Sequence, residues 1–189
     1  MSSHHIVREK QEPALLVLGL DGFDEEQLGQ LLEWSPTLMA PPLIAEQLNS
    51  LGIKIDWVIT DEADGNLQSD IKHLPVGTDS FAAAALKHLI TQGYPAVNVV
   101  TDEFDLTDYL LFADQINLVI FHQHEKIYGI APGFSKWKPG GEGIRLLSLP
   151  ENLNTTGLKR VDELTYITAA DGFFTLDFVA PLLFIAEQL

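Results

Sequence analysis

The chain has 189 residues, 46% of them hydrophobic and 20% charged, with a formal net charge of −16 and no cysteine. That length allows one or two globular domains. The composition excludes disulfides and thiolate metal sites, argues against nucleic acid, which needs clustered Lys and Arg, and offers no apolar run of the roughly 18 residues that a membrane span requires.

The first dozen residues, Met1 to Glu12, are polar and unlike a signal peptide. His4 and His5 read as part of a disordered leader rather than as a metal-binding stub. With no cysteine to oxidise, the chain fits a reducing compartment, and a cytoplasmic location is expected. Ala14-Leu-Leu-Val-Leu-Gly-Leu20 is a continuous apolar run, the pattern of a strand buried on both faces. Asp24 is placed to cap a helix through Glu33, with Leu28, Leu31 and Leu32 on one stripe. Leu38–Ala40 predicts a second strand, and Pro42 opens a helix over Leu43–Asn49 that Gly52 closes. Ile53–Thr60 predicts a third strand, followed by the acidic loop Asp61-Glu-Ala-Asp64-Gly65. Thr78 or Asp79 is placed to cap the helix Ser80–Thr91, and Val97–Val100 predicts a fourth strand. This helix is apolar on nearly every side, so it should pack within a core or against a second subunit. Strands alternating with helices predict a mainly parallel sheet that takes its ligands at the strands' carboxyl ends, where the acidic loop lies.

From about residue 114 only strands are expected: Asn117–His122, Lys126–Ala131, Gly143–Leu149, Glu163–Thr168, Phe173–Phe178 and Leu182–Ala186. Pro-Gly and Asp-Gly breaks separate them, the pattern of a small β-sandwich. The fold class is therefore an α/β N-terminal domain with a mainly parallel sheet, over 13–114, followed by a small all-β sandwich over 115–189.

Charge is divided unevenly between these halves. Asp21, Asp24, Glu25, Glu26, Asp56, Asp61, Glu62, Asp64 and Asp70 load the first, whereas Lys126, Lys136, Lys138, Arg145, Lys159 and Arg160 lie in the second. An anionic ligand would meet the second half more easily. Asp61, Asp64 and Asp79 read either as an acidic loop with a helix cap or as a divalent-metal site, since hard cations gather carboxylates. His122-Gln-His124 has a spacing that can chelate zinc, but no third ligand is evident and a hairpin shoulder explains it better. Ser135–Arg145 mixes cations, Trp137 and a glycine-rich turn, and reads as a long β-hairpin loop or as a phosphate cradle. Trp137 is the expected ligand or partner contact, while Trp34 and Trp57 are expected in the core.

Several segments, in this order, resemble the thiamine pyrophosphokinase family. Leu51-Gly-Ile-Lys-Ile-Asp-Trp-Val-Ile-Thr-Asp61 is similar to the family's LGIxPDxVIGDFDS, and Gly77-Thr-Asp79 with Leu86 to its DKDxTDxxxAL. Gly141–Pro150, Asn154-Thr-Thr-Gly-Leu-Lys159 and Pro181-Leu-Leu-Phe-Ile185 resemble its SLxPL, TTGLKWPL and LLVI progression. The resemblance spans most of residues 14–188. It implies transfer of a diphosphoryl group from ATP to thiamine with release of AMP, magnesium held by several carboxylates, and a homodimer with sites between subunits. By resemblance, Asp61 and Asp79 would be catalytic and would hold the metal, with Asp64 as a third ligand one residue out of step, and Lys159 of the Gly-Leu-Lys motif would contact the cofactor. Lys136, Trp137 and Lys138 are expected cofactor contacts from the make-up of their own segment.

The motifs are eroded. Position 63 is alanine where the family has its second loop aspartate, and Asp64 falls one residue late. Pro75 and Val76 replace an upstream carboxylate, and Met39-Ala-Pro-Pro-Leu43 replaces the glycine-rich phosphate segment. Thr101–Asp108 replaces the Gly-Gly-Arg-x-Asp-His stretch, Arg160 the stacking tryptophan, and Thr168-Ala-Ala-Asp171 the Ser-Asn pair. The expectation is weak or absent transfer, with a non-catalytic homodimer that binds thiamine, a nucleotide or a partner protein as the alternative.

Overall fold

In the computed structural model, which describes residues 12–62 and 71–189, the chain divides into two compact units, one ending at Leu118 and the other running over Val119–Leu189. No helix among the described residues is long and apolar enough to cross a membrane.

The first unit is built on β1 (Ala14–Val17), β2 (Leu38–Ala40), β3 (Trp57–Ile59), β4 (Lys72–Leu74) and β5 (Ala96–Thr101), hydrogen-bonded in parallel in the order β5-β1-β2-β3-β4. Every residue of β1 and β2 is buried, which is why their sequences carry no polar alternation. Helix α1 (Glu25–Leu32) starts where the Asp24 carboxylate accepts from the amides of Glu26 at 2.7 Å and Gln27 at 3.3 Å. Helix α2 (Pro42–Ser50) begins at Pro42, whose missing N–H costs nothing in a first turn, and buries Ala45 and Leu48. Helix α3 (Phe81–Thr91) buries Ala82, Ala84, Ala85, Leu86 and Leu89. Gly93, at a φ of 76°, ends that helix in the left-handed region that glycine enters without strain.

Several expectations need correction. The cap of α3 is Ser80, not Thr78 or Asp79: its hydroxyl accepts from the Ala83 amide at 3.2 Å. Strand β3 is shorter than predicted and begins at Trp57. Strand β4 and the one-turn helix α4 (Thr107–Leu110) were not foreseen. Trp34 is not in the core but 68% exposed at the end of α1. Trp57 is half-buried, its ring 4.4 Å from that of His88 and 5.2 Å from the Lys72 ammonium.

The second unit is entirely β. Strands β6 (Asn117–His122), β7 (Glu125–Ile130), β9 (Gly143–Leu146), β11 (Leu158–Arg160), β12 (Thr165–Thr168) and β14 (Leu183–Gln188) pair antiparallel in the order β11-β12-β9-β14-β7-β6. A separate sheet joins β10 (Glu151–Thr156), β13 (Gly172–Val179) and β8 (Phe134–Lys138). The two sheets share one core, with Phe174, Leu176 and Phe178 of β13 among Ile144, Leu146, Tyr166, Leu183 and Ile185. His122 and Glu125 pair across a tight turn at Gln123–His124, so the two histidines are hairpin residues. Ser135–Arg145 is not a hairpin loop. Its first half is β8, paired with β13, and its second half opens β9 in the other sheet.

Candidate functional site

A cleft of about 620 Å³ opens at the carboxyl ends of the first unit's parallel strands. Leu18 follows β1, Pro41 follows β2, Thr60 follows β3 and Val76 lies just beyond β4, and all four line it. The first turns of α2 and α3 contribute Pro42, Leu43, Ile44 and Phe81. Its position follows from topology, because parallel strands bring successive loops to one edge of the sheet. The carboxylates lining it, among the described residues, are Asp61 and Glu62.

Asp61 ties two of these loops together. Its Oδ1 accepts from the amides of Val76 at 2.8 Å and Gly77 at 3.0 Å, and its Oδ2 from Gly77 at 3.2 Å. Gly77 has a φ of 60°, a conformation that suits glycine and turns its amide toward Asp61. The Glu62 amide donates to the Thr60 hydroxyl at 3.0 Å, closing the turn that carries both acids. Asp79 faces elsewhere: its carboxylate accepts from Lys87 on α3 at 2.6 and 2.7 Å. Asp64, the third expected metal ligand, lies outside the described residues. Among the described residues no three His, Asp or Glu side chains gather as a metal would need.

The second unit separates its expected ligand contacts. Along β8 the side chains alternate, so Lys136 and Lys138 turn to the buried Glu187 while Trp137 faces outward. Lys136 donates to Glu187 Oε2 at 2.6 Å and to the Tyr128 hydroxyl at 3.2 Å, and that hydroxyl donates to Glu187 Oε1 at 3.0 Å. Lys138 stands 3.7 Å from both Glu187 and Glu142. Burial, then the charge of Lys136, lowers the Lys126 ammonium below its usual pKa. Burial, then the charge of Glu187, raises the Tyr128 phenol. Trp137 lies directly opposite Phe173 in the ladder, the two being 53% and 70% exposed. Lys159 is exposed on β11, and Arg160 donates to the carbonyl of Asp162 at 2.7 Å, holding the turn to β12.

Glu187, the hub of this network, was missed by sequence reasoning. Its signal was the spacing Leu183, Ile185, Glu187, which sets a carboxylate on a strand's apolar face.

No protein-family model and no curated protein matches the sequence. The fold is similar to solved structures of thiamine pyrophosphokinases. That from Bacillus subtilis has a TM-score of 0.67 at 12% identity, over 93% of this chain and 98% of that one. That from Geobacillus thermodenitrificans has a TM-score of 0.66 at 14% identity, over 93% and 97%. That from Candida albicans has a TM-score of 0.64 at 11% identity, over 94% and 89%. The chain thus has a thiamine pyrophosphokinase-like fold.

Proposed function

We propose that this chain is a thiamine pyrophosphokinase-like protein whose diphosphoryl transfer is weak or lost and whose cleft still holds a small ligand. The observation that carries the reading is the donor set of the cleft. Where a phosphate would need backbone amides, the chain has Pro41 and Pro42, the latter in the first turn of α2. Where magnesium would need free carboxylate oxygens, both oxygens of Asp61 accept from backbone amides, and Asp79 is neutralised by Lys87. The described residues therefore do not fit a magnesium triphosphate.

The test is direct. Incubated at micromolar concentration with ATP, magnesium and thiamine, the protein is expected to release no AMP above a blank lacking thiamine. Thiamine-dependent AMP would overturn the reading.

A second reading, a non-catalytic homodimer or partner-binding module on the same scaffold, is favoured by the outward Trp137 and Phe173, with Val179 62% exposed on the same strand. A cytoplasmic location accompanies either reading, given the cysteine-free chain. Sedimentation of the full chain checks the dimer, and a monomer at tens of micromolar ends it.

A further inference from the structure

Leu43 is 76% exposed and Phe81 is 42% exposed, and both line the cleft at the first turns of two helices. Large apolar side chains left in water at the rim of a concave site are surface that a ligand can cover. Leu18, Pro41, Pro42, Ile44 and Val76 extend that apolar lining. The volume, about 620 Å³, lies within the range of small-molecule sites.

The sign of the ligand follows from the charges around it. Asp61 and Glu62 supply two full negative charges. The N-termini of α2 and α3 oppose them with roughly half a positive charge each, and Pro42 and the Ser80 cap remove part of what those ends can donate. Among the described residues no lysine or arginine lines the cleft, and nearby Lys87 is spent on Asp79. The balance is negative.

We infer that the cleft binds a compact organic cation with an apolar body, of the amidinium, guanidinium or arylammonium class, and not a nucleotide. The apolar part lies against Leu43, Ile44 and Phe81, and the cationic end meets Glu62, with Asp61, held by its backbone amides, adding its charge. An aromatic ring at the rim adds attraction for such a cation. This assignment rests on the reading that phosphoryl transfer is lost.

Calorimetric titration of the full chain with benzamidinium, neutral benzamide and anionic benzoate, each at low salt, tests it. Benzamidinium is expected to bind at least ten-fold more tightly than benzamide, and benzoate to give no heat. Glu62→Lys should weaken benzamidinium ten-fold or more, Glu62→Gln should weaken it less, and Lys54→Ala should leave it unchanged. Absent benzamidinium binding, benzoate or ADP binding as tightly, or an unchanged affinity in Glu62→Lys would each overturn the assignment. Thiamine-dependent AMP release would instead end the reading beneath it, so the two failures are told apart.

Discussion

Gly19 and Asp102 are packed so closely that a Cβ on Gly19 would stand 2.0 Å from the Asp102 carboxylate and 2.9 Å from its backbone nitrogen. The contact sits where β1 and β5 run out side by side, just past the bond from the Leu18 amide to the Val100 carbonyl at 2.8 Å. Gly19→Ala should therefore cost about 1–3 kcal/mol through forced backbone movement. Urea unfolding would read this as a lowered midpoint. Asp102→Ala in the same chain should restore only part of it, because the backbone nitrogen is still too near.

The Lys136–Glu187 pair makes a second prediction. Lys136→Met leaves the buried carboxylate its Tyr128 hydrogen bond and the weaker contacts with Lys138 and Lys126, and should cost about 1–2 kcal/mol, since Lys136 itself is partly solvated. Combined with Glu187→Gln, the loss should be smaller than the sum of the two single losses. A double-mutant cycle in urea measures the coupling, and strict additivity would contradict it.

Neighbouring aromatics on β13 and β8 should behave differently. Phe174 is fully buried in the second unit's core, so Phe174→Ala should cost about 3–5 kcal/mol. Trp137→Ala removes an exposed cross-strand neighbour of Phe173 and should cost no more than about 1 kcal/mol. Denaturant midpoints for the two variants decide this.

Alkaline pH should weaken the fold. Burial, then the negative charge of Asp108, pushes the Tyr109 phenol from 10.0 up to about 12, with a hydrogen bond between its side chain and that of Thr101 pulling the other way. Between those values the unfolded chain has released a proton that the folded chain keeps. The folded state then binds more protons, and stability falls as pH rises. Tyr128 acts in the same direction. Lys126, lowered by burial and by Lys136, acts oppositely, and its penalty is relieved as pH climbs toward 10.5. Unfolding midpoints should therefore drop mainly above about pH 10, and Tyr109→Phe should flatten that decline.

Where local pattern and tertiary environment agree, the fold could be read from the chain. The apolar run at β1, the Asp24 cap, Pro42 at a helix start and Gly93 at a helix end each express backbone or burial preferences decided within a few residues. Strand β4 was illegible because three residues, two of them exposed, carry no period. Strand β8 looked like a loop because two of its three inward positions, after Phe134, are lysines whose partner, Glu187, lies some fifty residues away. Strand β10 was hidden by polar residues and by a bulge between Glu151 and Asn154, where Asn152 has a φ of 52°. In the candidate site, the place of Asp61 at a strand end was legible. The ion pair between Asp79 and Lys87 was not, since an aspartate just before a helix reads first as a cap.

Glu187 also discriminates between ways of threading β8 into its sheet. Sliding that strand by one residue would exchange its faces, carrying Trp137 toward the interior and both lysine ammonium groups into water. The buried carboxylate of Glu187 would then lose both of these lysines and keep only the Tyr128 hydroxyl and the charge of Lys126 on the neighbouring strand. A strand whose sequence carries little hydrophobic alternation is thus held in step by one acid on a distant segment, as a key fits one notch and no other.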